Sequence, residues 1–477
     1  MLMMPESIVL ATAFVIFLVD LFVSERHRSI LAPLALVGLI LTGISIVWLI
    51  PQEGTLLGGR FAVDSVTESF KLLFVLSALG TIALSFDLLE GRALSSFKNT
   101  ARGEYYTLLL FTVAGMMFLV SARDLVTLYV SLELSTIPLY LLSAWRRDRS
   151  AGEAGMKYLV LGALTSALFL YGLGLLYGLT GATDFETLHR SLQPSPAFWL
   201  AMALMLAGVG FKLTLVPFHF WAADVYQGAP SPIAAYLSVA SKAAGLVLMF
   251  QIFFHLMGRF LGDLALFVAI LAALTMTLGN LAALTQRNIK RFMAFSAISQ
   301  AGYLIIGFIS PSAANVPAMI FYLLVYIVTN LAVFTVIVFF CNETGREDIR
   351  DYRGLSRTHP FIALGMMIAL FGLAGIPPLA GFVGKFFLFS IAAKAGYHWL
   401  VAVAAINSTV SLYYYLRIVR QIYIEPVSEK IKTPRISPAL GVALGVFVSA
   451  SVLLGIVPTF YEYIHTHTWR WFTLWIQ

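Results

Sequence analysis

Apolar runs of about twenty residues recur from one end of the chain to the other. They fall at roughly 6–23, 30–50, 67–88, 105–121, 124–145, 156–179, 197–220, 231–256, 263–285, 292–310, 316–341, 360–391, 397–416 and 438–458. Each is long enough to cross ~30 Å of hydrocarbon as a helix. A chain of 477 residues would otherwise suggest about three soluble domains, but only 12% of its residues are charged and its mean hydropathy is +0.87, whereas soluble domains carry about 25% charged residues. The expected fold class is an all-α polytopic membrane protein with about fourteen transmembrane helices. The first run reads as a span rather than a cleavable signal, because no basic region precedes it and Asp20-Leu21-Phe22-Val23 offers no small-residue cleavage site. The single cysteine, Cys341, excludes a disulfide framework, a Cys-rich zinc site and a four-thiolate iron–sulfur cluster supplied by this chain.

The net charge of +7 reads as orientation before it reads as an anionic partner. Loops after the odd-numbered spans hold twenty Lys and Arg, from Arg26 and Arg28 to Arg435, and the opposite side holds six: Arg60, Arg123, Arg190, Arg259, Lys394 and Arg470. This bias places the odd loops in the cytoplasm and both termini on the outer side of the membrane, with no role in binding nucleic acid. Five lysines remain inside spans: Lys71, Lys157, Lys212, Lys242 and Lys385. The tail beyond Pro458 carries Trp469, Trp471 and Trp475, which suit an interfacial position on the outer surface.

A 164-residue offset aligns Arg123 with Arg287, Ser135 with Ser299, Tyr158 with Tyr322, and Thr165-Ser166 with Thr329-Asn330. Five spans separate the members of each pair, and an odd number reverses orientation, so the two copies are expected to be inverted five-helix repeats of the kind found in transporters. Breaks stand in corresponding positions of the two halves: span 7 carries Pro217, and span 12 carries Gly375-Ile-Pro377-Pro378-Leu-Ala-Gly381. Such breaks are tolerated where the freed backbone is buried in protein or lines a cavity. The expected division is 1–104 for three N-terminal helices, 105–256 for the first repeat, 263–420 for the second, and 421–477 for the last helix and tail. The connections leave no room for a soluble domain.

Chemistry in such a chain lies in its intramembrane charges. A lysine at mid-bilayer costs at least ~2.5–3.5 kcal/mol and needs a partner, water or a neutral state. Lys212 lies about fifteen residues, or ~22 Å, into span 7; Lys242 lies near the centre of span 8, and Lys385 follows the break in span 12. Each fits either a proton pathway or a structural ion pair. Glu133 is the carboxylate well inside a span, and pairing with Lys212 would keep it ionised. His219, beside Pro217, and Lys157 are second-tier relay candidates against incidental placement. Lys71 is expected to snorkel from a span end. Asp20 and Asp87 read as interfacial, and His255, His359 and His398 as incidental; Ser135, Thr136, Thr214 and Ser241 hold water or bond their own helices. No residues suggest a metal or cofactor site.

The run Gly210-Phe-Lys-Leu-Thr-Leu-Val-Pro-Phe-His-Phe-Trp-Ala-Ala-Asp-Val-Tyr-Gln-Gly-Ala-Pro-Ser-Pro232, together with Gln286-Arg-Asn-Ile-Lys-Arg-Phe-Met-Ala-Phe-Ser-Ala-Ile-Ser-Gln-Ala-Gly-Tyr303 and Gly375–Lys385, resembles the subunit N family of proton-translocating NADH:quinone oxidoreductase, respiratory complex I. The resemblance extends over essentially the whole chain in length, span number and motif order. It implies an antiporter-like subunit of the membrane arm, beside other antiporter-like and small membrane subunits, in which Glu133 and Lys212 form a modulating pair, Lys242 a central relay and Lys385 a terminal relay. It also implies that flavin, iron–sulfur clusters and quinone belong to partner subunits. Two other readings fit these residues: an Mrp-type cation/proton antiporter subunit without redox partners, and a structural spacer with inert lysines.

The charge bias makes a topological prediction. A cysteine introduced in the 311–315 loop will react with an impermeant thiol reagent from outside intact cells, and one at 344–353 will not; the reverse labelling overturns the orientation.

Overall fold

A computed structural model describes residues 1–89, 101–146, 148–427 and 436–476, apart from the side chains of residues 25, 26 and 469–476. Of the basic loop residues and interfacial tryptophans expected from the sequence, Arg26, Arg92, Lys98, Arg147, Lys430, Lys432, Arg435, Trp469, Arg470, Trp471 and Trp475 lie outside the described side chains. The helices before the first break are α1 (Met4–Phe22), α2 (Leu31–Leu49), α3 (Ser65–Leu89), α4 (Arg102–Ser121), α5 (Leu125–Ser143), α6 (Arg149–Thr180), α7 (Phe185–Ser191) and α8 (Pro196–Leu213). Then come α9 (Phe220–Gly228), α10 (Ser231–Phe250), α11 (Leu261–Leu284), α12 (Ile289–Leu304), α13 (Asn315–Thr344) and α14 (Leu355–Thr358). The remainder are α15 (Pro360–Ala374), α16 (Ala380–Lys394), α17 (His398–Tyr423), α18 (Pro438–Ile456) and α19 (Thr459–Ile476). The 51–66 connection folds into a hairpin of β1 (Gly54–Leu56) and β2 (Phe61–Val63), antiparallel with Thr55 opposite Ala62.

The fourteen sequence segments all fall on helical elements, but not as fourteen unbroken spans. Among the described residues, twelve helices are long and apolar enough to cross a membrane. The segment at 292–310 is the 16-residue α12 continued by a 3-10 turn, Ile305–Phe308. Its start is fixed by Asn288, whose side chain accepts from the amides of Lys290 and Arg291, so basic residues occupy its first turn. The segment at 360–391 is two 15-residue helices, α15 and α16, because Gly375 takes a left-handed conformation and two prolines follow. The seventh segment likewise stops at Leu213, where Thr214 is left-handed, and resumes as α9.

Backbone contacts recur at the 164-residue offset. Leu125 donates to Thr183 O at 2.9 Å and Phe185 to Arg123 O at 3.0 Å; Ile289 donates to Glu347 O and Ile349 to Arg287 O, both at 2.8 Å. These form the isolated bridges Asp124–Asp184 and Asn288–Asp348. Asp124 caps α5 as Asn288 caps α12, and Gly181 and Gly345 end α6 and α13 in the left-handed conformation. Each copy therefore opens and closes its second helix pair with the same local chemistry.

At the centre lie α10, entirely buried, and α13, almost so. Polar side chains on them consequently face protein. Close packing in each copy depends on a glycine: a Cβ at Gly115 would lie 2.4 Å from Ser135 N, and one at Gly279 would lie 2.6 Å from Ser299 N.

Both contacts are with backbone and cannot yield by rotamer change. Gly279→Val is expected to cost at least ~1–3 kcal/mol by overpacking, measured as a lower unfolding temperature of the purified protein; Gly262→Val, where a Cβ meets nothing within 4 Å, serves as the control.

Candidate functional site

A helix that stops inside a bundle leaves its last carbonyls without amide partners, and its C-terminus carries a partial negative charge of about half an electron. Both breaks in this chain use those groups to seat a lysine. At the first, Lys242 of α10 reaches the end of α8 and donates from Nζ to Leu213 O at 3.3 Å and Thr214 Oγ1 at 2.5 Å. At the second, Lys385 of α16 turns back to the end of α15 and donates to Leu373 O at 3.1 Å, Ala374 O at 3.0 Å and Ser408 Oγ at 3.1 Å. The ring of Tyr303 lies 4.6 Å from the Lys385 ammonium. Other groups freed at the first break are satisfied separately, Leu215 N by Gly210 O and Phe211 O by the Trp221 indole.

Lys212 lies in the last turn of α8 and points to α5. Its Nζ donates to Thr136 Oγ1 at 2.5 Å and Ser135 Oγ at 3.4 Å. Glu133 lies one helical turn before Thr136 and is bonded by Ser166 Oγ of α6, which in turn meets Tyr129 OH at 3.2 Å. The expected Glu133–Lys212 partnership is therefore not a contact ion pair among the described residues: hydroxyls one turn further along α5 occupy the ammonium. All three lysines are buried, with relative exposures of 2%, 1% and 4% for Lys212, Lys242 and Lys385, while Glu133 is half-buried.

A row of neutral polar side chains extends from α10 to the second break. Ser238, one turn before Lys242, donates to Asn330 Oδ1 at 2.8 Å, and Tyr326 OH donates to Ser238 O at 3.0 Å. One turn along α13, Tyr322 OH donates to Gln300 Oε1, and Gln300 Nε2 donates to Leu373 O at 3.2 Å. That carbonyl also receives Lys385. Sequence reasoning did not single out Gln300, Asn330, Tyr326 or Ser408. A signal existed for two positions of the row: Asn330 and Tyr322 are the 164-offset counterparts of Ser166 and Tyr158.

The remaining candidates lie away from this row. His219 stands at the N-cap position of α9 without a side-chain capping bond, half-buried and stacked on Phe220. Lys157 lies at the rim, paired with Glu153 at 2.7 Å and Asp224 at 2.8 Å, and Arg291 of α12 also bonds Asp224. Partial burial raises the Asp224 carboxyl, but the bonds and charges of Lys157 and Arg291 outweigh it and hold the group below its ordinary value. Lys290, one of the twenty basic residues assigned to the odd-numbered loops, is fully buried against Glu347 at 2.7 Å. Lys71 does not snorkel: it is fully buried between Glu6 and Glu68, because α1 brings a carboxylate 65 residues away in sequence to the same point. Asp20 pairs with Arg28, Asp87 is bonded by Ser437, and His398 is exposed at the start of α17. Among the described residues, no group of three or more His, Cys, Asp or Glu side chains is placed to hold a metal ion.

Residues 122–411 match the family described as NADH:quinone oxidoreductase/Mrp antiporter, transmembrane region. The chain is 43% identical over 416 residues to NADH-quinone oxidoreductase subunit N of Moorella thermoacetica, covering 85% of each chain. Its fold matches a chain of respiratory complex I from Thermus thermophilus with a TM-score of 0.82 at 33% identity, over 96% of this chain and 98% of that one. A chain of the Mrp complex from Dietzia sp. DQ12-45-1b matches over 100% of both chains with a TM-score of 0.85, but at 22% identity, and shares the fold.

The seat of Lys242 is open to a direct test. Thr214→Val keeps the shape and removes one of two acceptors from a buried ammonium, so it should destabilise the purified protein by ~1.5–3 kcal/mol, the worth of a hydrogen bond to a charged group. Thr214→Ser should restore most of that. Equal unfolding temperatures for the Val variant and the wild type would remove the hydroxyl from the seat.

Proposed function

The chain belongs to the subunit N family of NADH-quinone oxidoreductases, within the NADH:quinone oxidoreductase/Mrp antiporter family, and on that footing we propose that it moves protons across the membrane by way of Lys212, Lys242 and Lys385. The observation that carries the reading is that two of these lysines sit on the ends of broken helices, with buried hydroxyl and amide side chains lying between the two breaks.

An ammonium held by carbonyls and hydroxyls has no carboxylate locking its proton in place. Lys242 can pass a proton toward the row formed by Ser238, Tyr326, Tyr322 and Gln300, with water closing the gaps, and Lys385 receives it at the second break. Glu133 acts on Lys212 through space: ionised, it favours the ammonium, and protonated or displaced, it lets the proton go. Lys157 and His219 stand at the same end of the first repeat as Lys212 and serve its supply. The units of this device are the two inverted repeats, 105–256 and 263–420, flanked by the N-terminal helices 1–104 and the closing segment 421–477.

In this reading the chain is one subunit of a translocating oxidoreductase of the bacterial inner membrane, with both termini on the outer side. It has no redox centre of its own, and flavin, iron–sulfur clusters and quinone are held by partner subunits of the membrane-arm assembly. The Mrp-type alternative rests on likeness of fold at 22% identity.

Lys242→Arg discriminates a relay from a structural ion pair. Arg keeps the charge and most of the bulk, but its guanidinium stays protonated at any working pH. The assembled Arg variant is expected to lose most proton pumping coupled to quinone reduction in membrane vesicles, as the Ala variant does. Near-normal pumping by the Arg variant would sink the relay role.

A further inference from the structure

Two carboxylates and one ammonium are enclosed at the end of the bundle that carries the amino terminus, outside the row of polar groups described above. Lys71 Nζ lies 2.8 Å from Glu6 Oε1 of α1 and 2.6 Å from Glu68 Oε1 of its own helix. All three residues are at 0% relative exposure. The Phe61 ring, 5.2 Å from Nζ, closes a further side of the ammonium. The second oxygens, Glu6 Oε2 and Glu68 Oε2, are buried and have no hydrogen-bond partner among the described residues.

The charge count does not close. With all three groups ionised, the enclosure holds a net charge of −1, with two acceptor oxygens bare in a place from which water is excluded; an uncompensated buried charge costs several kcal/mol. Among the described residues, the surroundings offer no further cation to cancel it: Arg60, beside Phe61, is exposed. Asp64, next along the chain, is taken by Arg123 at 3.2 Å. The Gln251 amide, in the π-helical turn just after α10, is committed to Leu119 O and Val120 O. His255, further along the same chain segment, faces the Phe250 and Phe185 rings. No titratable residue occurs on α2 or α18. Tyr105 of α4 bonds Ser85 at the far end of α3, Tyr322 and Tyr326 of α13 are committed to Gln300 and Ser238, and Tyr463 of α19 is exposed. The amino terminus is exposed at Met1.

We propose that Glu6, Glu68 and Lys71 form a separate proton-binding site that holds one exchangeable proton between the two carboxylates, the lysine staying charged. The proton makes the cluster neutral and leaves one carboxylate, in place of two, to be balanced by Lys71. Neither Glu6 nor Glu68 belongs to the relay proposed above, so the site stands or falls independently of it.

Infrared spectra of the purified complex at neutral pH, taken as differences between wild type and variants, read neutral carboxyl groups directly through their C=O stretch. The charge balance fixes the pattern. Wild type contributes one neutral carboxyl. Glu6→Gln and Glu68→Gln should each abolish that band, because the remaining carboxylate ionises against Lys71. Lys71→Met should give about twice the wild-type band, since neither carboxyl then has a cation to ionise against. Both Gln side chains are close in shape to the neutral acid, so the two single variants test the site even if the Met variant fails to assemble. A wild-type spectrum that neither Gln variant changes in this band would overturn the proposal.

Discussion

An ammonium in hydrocarbon must be met by acceptors, and in this chain the acceptors come from interrupted helices. A continuous helix has already used its carbonyls, so it can offer a buried lysine nothing but side chains. The breaks after Leu213 and Ala374 release carbonyls at the end of a helix where the backbone dipoles already favour positive charge. Lys242 and Lys385 take up these positions. Much of the architecture follows: α10 must be buried on every side to deliver Lys242 to α8, and α13 must be buried to carry the tyrosines and Asn330 that lead away from it.

The two seats are alike in chemistry but not in connection. At the first break the ammonium arrives from another full span, whereas at the second it comes from the half-helix that follows the break itself. Lys212 uses neither arrangement and rests on two hydroxyls of α5. The three lysines thus rest in three different acceptor sets: a helix end with a hydroxyl, a helix end reached from within its own broken segment, and a pair of hydroxyls.

The sequence exposed the membrane class, the positions of the breaks and the three deeply buried lysines, because apolar length, proline and charge are legible one residue at a time. It did not expose what those lysines touch. Backbone carbonyls leave no mark in composition, so a search for partners settled on the carboxylate of Glu133, and Thr136 entered only as an incidental hydroxyl. Lys71 was misread for a related reason: depth along one helix suggested a route to water, while the partner that encloses it comes from α1. Lys290 shows the converse, since a charge beside a loop read as topogenic yet is fully buried against Glu347. The segments at 292–310 and 360–391 were legible as apolar runs, the second with its break at Gly375 and the prolines, but the continuous helices within them, α12, α15 and α16, are only 15 or 16 residues long.

The bridges that tie Asp124 to Asp184 and Asn288 to Asp348 are made by main-chain groups on both sides. A fastening of that kind places almost no demand on which side chains surround it, and it survives substitution that would destroy a salt bridge or an apolar lock. The two halves of the chain can therefore carry different side chains while retaining the same backbone closure.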